Sequence, residues 1–236
     1  MKFANPLIPA TLELRYKRFL ADVRLADGTV MTVHCPNPGA MAGLATPGNR
    51  CWISDSGNPK RKLRHTLEIM EVDAPDGRTL VGINTNHPNN LAVEAIQAGL
   101  LPDLEEYSSL RREVRYGENS RIDILLEHAV RPPCYVEVKN VHFLRRSGLH
   151  EFPDCKTARG TKHLRELKAV AEAGGRAIML YVIQRTDGDR FSLADDVDPD
   201  YAKAFGEARA GGVEAFAIRC EISTEHITAT TLVPVV

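Results

Sequence analysis

The sequence predicts two folded parts in one chain, an all-β barrel over residues 1–84 and an α/β sandwich over residues 85–236. Three observations predict this. Up to Asn84, short alternating runs of apolar and polar residues are separated by Asp-Gly, Pro and Gly turn signals. Beyond Asn84 the pattern changes to helical stretches mixed with apolar strands, and two of those helices run into paired glycines. A length of 236 residues accommodates two small domains.

The first part reads as five strands. Residues 11–25 alternate throughout, but the parity changes near Lys17 and Arg18, which predicts a bulge or bend in one long strand. Asp27-Gly28 is a hairpin turn, followed by a strand over residues 29–34. A loop from Cys35 to Gly43 is too rich in Pro and Gly for regular structure. Residues 50–54, 64–72 and 78–83 supply the remaining strands, the last two joined around Asp76-Gly77. Five short antiparallel strands curved by a bulge fit an OB-like barrel.

In the second part, Asn89 or Asn90 is positioned to cap a helix over residues 91–100, ended by Gly99 and Pro102. Strands over 110–116 and 121–127 flank the turn Gly117-Glu118-Asn119-Ser120, and a third spans 134–141. Thr157 caps a helix to about residue 173, stopped by Gly174-Gly175. Residues 177–183 form a buried strand. Pro199 opens a helix ended by Gly211-Gly212, and 213–222 with 226–234 make a final strand pair. A helix-turn-helix around Gly211-Gly212 is rejected, because two glycines start a recognition helix poorly and the following residues alternate as a strand.

Composition excludes several classes. The net charge is −1, yet residues 1–72 carry ten Lys and Arg against six Asp and Glu. A basic module joined to an acidic one points to a polyanion partner. There is no signal peptide, lipidation motif or apolar run long enough to span a membrane. The five cysteines are odd in number and scattered, so neither a disulfide framework nor a zinc site is expected, and a reducing cytoplasm is the simplest setting.

The chemistry centres on residues 134–141. Glu137 and Lys139 share one face of this strand, and burying two charges there needs partners. They are either a structural ion pair or a metal ligand beside a catalytic amine. Asp123, in Arg121-Ile122-Asp123-Ile124, falls on the same face as Leu125, with Ile122, Ile124 and Leu126 opposite. Alone it reads as a salt-bridge partner of Arg121 or Arg115. Neighbouring strands lie about 4.8 Å apart, so Asp123 and Glu137 together are placed to share a divalent ion, and hard oxygen ligands suit Mg2+. Glu94 is at the edge of a helical apolar stripe, either reaching water or facing the metal as a third acid. Arg159, Lys162 and His163 crowd a helix start against its dipole, which holding phosphate would explain, as would pairing of Lys162 with Glu166. In the barrel, Arg15, Lys17, Arg18, Arg24 and the run Lys60, Arg61, Lys62, Arg64 mix with Tyr16, Phe19 and Trp52, a combination suited to single-stranded nucleic acid or to a solvated face.

Five stretches resemble the sugar fermentation stimulation protein A family of bacteria and archaea: Pro36-Asn37-Pro38-Gly39-Ala40-Met41, Arg61-Lys-Leu-Arg-His-Thr-Leu-Glu, Arg121-Ile-Asp, Val136-Glu-Val-Lys-Asn-Val and Phe152-Pro-Asp-Cys-Lys-Thr-Ala-Arg-Gly-Thr-Lys-His-Leu-Arg-Glu-Leu. The family carries Thr or Ser where this chain has Pro38 and Ala40. The resemblance implies an N-terminal OB-like domain that binds DNA and a C-terminal PD-(D/E)xK nuclease-like domain. It implies Glu94, Asp123 and Glu137 as metal ligands, with the Val138 carbonyl as a further one, Lys139 as the catalytic amine, and Mg2+ or Mn2+ as the ion. Arg15, Lys17, Arg18, Lys60, Arg61, Lys62, Arg64, Arg159 and Lys162 would contact DNA without reading sequence. A homodimer is one arrangement that nucleases of this core adopt. The resemblance also leaves a second expectation, a non-catalytic transcriptional regulator of sugar (maltose) metabolism on the same scaffold.

Overall fold

The structure is a computed structural model and describes residues 1–74, 77–117 and 119–236. Asp76 and Glu118, expected in two of the turns, lie outside the described residues.

The first half contains β1 (Ile8–Tyr16), β2 (Leu20–Leu25), β3 (Val30–His34), β4 (Arg50–Asp55), β5 (His65–Ala74) and β6 (Gly77–Gly82). The pairings run β1-β2-β3-β5-β4 and return to β1, closing a five-stranded barrel. The β3–β5 contact is parallel and the others are antiparallel. Strand β6 extends the sheet from β5. Leu12, Val23, Val33, Ile53, Leu67 and Val81 fill the barrel and are fully buried.

One element differs from the expectation. The alternation over residues 11–25 belongs to two strands, not one bent strand, with Tyr16 opposite Leu20 across a tight hairpin. Lys17 and Arg18 take φ values of 49° and 64°. Two successive left-handed residues are ordinarily Asn or Gly, so a Lys-Arg turn carries no composition signal. A register shift does occur in this pair, between Leu12 and Leu14.

The second half contains α1 (Pro88–Gln97), β7 (Ser109–Tyr116), β8 (Ser120–Glu127), β9 (Cys134–Val141), β10 (Phe143–Arg146), β11 (Gly148–Phe152), α2 (Ala158–Glu172), β12 (Arg176–Ile183), β13 (Gly188–Leu193), α3 (Pro199–Ala210), β14 (Glu214–Ile222) and β15 (Ile227–Val233). A six-stranded sheet in the order β15-β14-β12-β9-β8-β7 forms its centre. Leu91, Ala95 and Ile96 of α1 cover one face, against Ile124, Val136 and Val138. Leu164 and Leu167 of α2 and Tyr201 and Ala204 of α3 cover the other, against Val141, Met179 and Tyr181. Thr157 caps α2 by accepting from the Gly160 N–H, and Asp198 with Pro199 starts α3. Helix α1 begins earlier than expected: Pro88 opens it after His87, and neither Asn89 nor Asn90 is its cap. The small sheet β10-β11-β13 was not expected, since its strands are short and charged residues break their alternation. The residues after Gly212 are strand β14, in line with rejecting a helix-turn-helix. Among the described residues, no helix is long and apolar enough to cross a membrane.

The halves are joined by specific contacts. The Met1 amino group donates to Glu94 Oε2 at 2.6 Å and to the Ile227 carbonyl at 2.7 Å, so the chain start sits on the second half. The loop 35–43 is a built structure. Arg15 donates to the carbonyls of Asn37 and Gly39, and Asn37 Nδ2 donates to the Ile83 carbonyl. Asp154, beyond β11, accepts from the Met41 N–H at 3.0 Å and from His142 Nε2 at 3.3 Å. A Cβ on Gly39 would lie 2.7 Å from Asp154 Oδ2, so only glycine permits this approach.

Burial alone would raise the Asp154 pKa, but the His142 ring, the Met41 N–H and Cys155 outweigh it and bring it down to about 2. A depressed carboxylate contributes stability above its unfolded value of about 3.9 and loses it as pH falls through the folded value. Asp154→Asn is expected to lower stability by about 2 kcal/mol at pH 7, with the two proteins converging as the pH falls from about 4 towards 2. Urea unfolding at pH 7 and pH 3 checks this; an equal deficit at both would contradict it.

Candidate metal and nucleic-acid site

The central sheet forks. Strands β8 and β9 pair only through Ile124 with Val136, Leu125 with Tyr135 and Leu126 with Cys134. Beyond that point β8 continues with β7 as far as Tyr116 opposite Ser120, while β9 continues with β12 to Val141 opposite Ile183. In the fork the Val138 N–H donates to Asp123 Oδ2 at 2.8 Å in place of a strand carbonyl. Asn89 Nδ2, in the first turn of α1, donates to Asp123 Oδ1 at 2.9 Å. The fork also breaks the expected alternation of β8: Ile122 joins Leu125 in the cluster under α2, whereas Ile124 and Leu126 face α1. Asp123 sits at that change of face. Neither Arg121 nor Arg115 pairs with it among the described residues.

Glu137 is on the α2 side of β9 and is almost fully buried. Lys139 Nζ donates to its Oε1 at 2.6 Å, and His163 Nδ1 of α2 makes a short hydrogen bond to the same oxygen. Glu137 Oε2 is buried and has no hydrogen-bond partner among the described residues. The Arg159 Nε–H donates to His163 Nε2 at 3.4 Å. An exposed arginine is thereby linked through a buried imidazole to the carboxylate. Burial pushes the Glu137 pKa up, but Lys139 and His163 together bring the net shift down. Asp123 moves the other way: burial first, then the charge of Glu137, raise its pKa against the Val138 N–H, Lys139 and Asn89. The site thus holds two carboxylates in different states of compensation. Glu137 is engaged by Lys139 and His163 at one oxygen only, while burial and the charge of Glu137 disfavour the charged form of Asp123.

The expected residues separate into groups. Asp123, Glu137, Val138 and Lys139 converge in the fork, although it is the Val138 N–H that is engaged. Glu94 does not join them. It is half exposed and bound to the Met1 amino group, because five helical positions separate it from Asn89, about 140° around α1. Arg15 is committed to backbone carbonyls of the 35–43 loop, and Arg64 to a two-pronged ion pair with Asp55. Lys17 and Arg18 form the exposed tip of the β1–β2 hairpin, and Lys60, Arg61 and Lys62 are exposed between β4 and β5. Arg159 and Lys162 are exposed on α2, and Lys162 pairs with Glu166 at 3.5 Å. Asn89 and the role of His163 were missed. The pattern Arg159-x-x-x-His163 places those two on one helix face, but nothing local shows that Glu137 lies opposite.

The donor set suits a hard divalent cation, since a buried carboxylate oxygen without a partner among the described residues belongs to a group close enough to Asp123 for its charge to raise the Asp123 pKa. Against that, among the described residues no three His, Cys, Asp or Glu converge in a ligand arrangement.

Two family models match the chain. Residues 14–83 match the SfsA N-terminal OB domain, and residues 86–226 match the sugar fermentation stimulation protein RE domain. The sugar fermentation stimulation protein homologs of Brucella ovis and Brucella melitensis are each 57% identical over 235 residues, covering 100% of this chain and 97% of theirs. The solved structure of Pyrococcus furiosus SfsA in complex with Ca2+ is 29% identical, with a TM-score of 0.87 over 100% of this chain and 98% of that one. From the closed barrel to the forked sheet, the chain belongs to the sugar fermentation stimulation protein family.

Proposed function

We propose that the chain is a largely sequence-indifferent DNA-binding protein with a divalent-metal phosphodiesterase site of the PD-(D/E)xK endonuclease type. The observation that carries this reading is the buried Glu137 Oε2, without a hydrogen-bond partner among the described residues, in a fork where the charge of Glu137 acts on Asp123 and Lys139 Nζ lies 2.6 Å from the other Glu137 oxygen. Asp123 and Glu137 would hold Mg2+ or Mn2+, and the Val138 carbonyl is a further oxygen at that position. The Pyrococcus furiosus relative is a complex with Ca2+, which prefers the same oxygen ligands. When bound, such an ion supplies Lewis acidity and a water of lowered pKa. Lys139 would orient or deprotonate the attacking water, or stabilise charge on the phosphorane. His163 keeps Glu137 in place, and Arg159, one step further out, would meet a flanking phosphate. The exposed Lys17, Arg18, Lys60, Arg61 and Lys62 on the barrel would add salt-sensitive affinity.

A second reading is a non-catalytic DNA-binding regulator of sugar (maltose) metabolism on the same scaffold. One feature favours it. Lys139 and His163 already neutralise Glu137 Oε1, and Glu94, the third acid expected, is bound elsewhere.

Incubation of single-stranded, duplex and branched DNA with the protein and Mg2+ or Mn2+ separates the two. Cleavage is expected, and Lys139→Ala is expected to slow it by roughly 10²–10³-fold. Intact DNA with every metal, alongside gel-shift binding that survives EDTA, would leave only the regulator. A stability experiment examines the metal site separately. Asp123→Asn relieves a buried charge and keeps the hydrogen bonds, since the Asn89 amide can turn over. It is expected to raise the metal-free melting temperature by about 2–4 °C and to abolish any rise caused by Mg2+ or Ca2+. A fall in melting temperature would mark Asp123 as a structural partner instead.

A further inference from the structure

The hairpin that leaves the fork carries an arrangement that folding alone does not favour. Arg115 of β7 and Arg121 of β8 are directly opposite in the antiparallel register, so their side chains stand side by side. Both are exposed, and among the described residues neither makes a hydrogen bond or an ion pair. The other arginines of β7 are provided for: Arg112 donates to Asn90 Oδ1 at 2.8 Å and Arg111 pairs with Glu127 at 3.4 Å. Like charges opposed across a ladder are destabilising, and among the described residues this pair has no compensating partner.

The surroundings suit an anionic ligand. A cavity of about 440 Å3 opens at the hairpin end, lined by Arg115, Tyr116, Gly117, Asn119, Ser120 and Arg121. Tyr116 Oη is buried without a hydrogen-bond partner among the described residues, on the side of Glu137, Glu166 and Asp123. Residues on both sides of the turn are tied to α2. Ser120 Oγ donates to Glu166 Oε1 of α2 at 2.8 Å, and Gly117 at φ 54° approaches Glu166 so closely that a Cβ would lie 3.0 Å from it. The strand residues next to each arginine are thereby positioned against α2. Along β8, Arg121 is two residues from Asp123, about 6.6 Å in an extended strand, so the pair stands beside the carboxylate site.

We infer that Arg115 and Arg121 form a phosphate clamp on the outer lip of the fork, gripping the DNA backbone beside the carboxylate site. This rests on the DNA-binding reading above and adds a site outside the barrel and α2. The clamp contacts phosphodiester oxygens, so it contributes affinity and register but reads no sequence.

Fluorescence anisotropy with a labelled DNA duplex, in EDTA and again with Ca2+, measures affinity against salt concentration. Each phosphate contact contributes about 0.9 to the slope of log K against log salt. Arg115→Ala/Arg121→Ala is expected to bind roughly tenfold or more weakly at low salt and to lose about 1.8 from the slope. Its melting temperature is expected to match or exceed that of the wild type, because the opposed charges are gone. Arg115→Lys/Arg121→Lys, which keeps both charges, is expected to retain the slope. Wild-type affinity and slope in the alanine variant, with the wild-type protein binding DNA normally, would overturn the clamp alone. Absence of DNA binding by the wild type would overturn the clamp together with the reading beneath it.

Discussion

The N–H of Val138 donates to the carboxylate of Asp123, where an unbroken sheet would offer it a carbonyl. A buried backbone donor needs a partner, so a side-chain oxygen acceptor at position 123 is what allows β8 and β9 to part. Once they part, Glu137 and Lys139 on one side and the β7–β8 hairpin on the other border an opening in an otherwise continuous six-stranded layer. The same hydrogen bond turns Asp123 towards the first turn of α1, where Asn89 takes its other oxygen. Remove the carboxylate acceptor, and either the fork closes into a regular ladder or Val138 is left unsatisfied.

The opening makes the charges useful and also costly. Burial and the charge of Glu137 disfavour the ionised form of Asp123, and its pKa rises. Glu137 is compensated by Lys139 and His163, but only at one oxygen. Two carboxylates kept apart in this way have a demand for positive charge that the protein itself does not fully meet. A cation between them would meet it, and the Arg159–His163 link would couple the same carboxylate to whatever anion arrives at the surface.

Much of this was legible locally. Period-two alternation placed Glu137 and Lys139 on one face, and Thr157 with Gly174-Gly175 bounded α2. The barrel strands followed from their turn residues, except where Lys17 and Arg18 adopt a backbone that their side chains do not advertise. What stayed hidden is non-local. The choice of Asn89 rather than Glu94 depends on the angle at which α1 meets the fork, and Glu94 was claimed by an amino group 93 residues away. The pairing of His163 with Glu137 depends on how α2 lies across β9. The opposition of Arg115 and Arg121, by contrast, follows from the uniform register of a local hairpin. No single window of sequence contains the other two facts.

The most direct measurement is a crystal of this protein soaked in Mn2+ and examined by anomalous diffraction. A peak within coordination distance of Glu137 Oε2 and an Asp123 oxygen, lost in Asp123→Asn crystals, is the result the forked site predicts. Anomalous density absent from the fork at saturating Mn2+, with Glu137 still bound only to Lys139 and His163, would contradict it and leave the two charges as a structural ion pair.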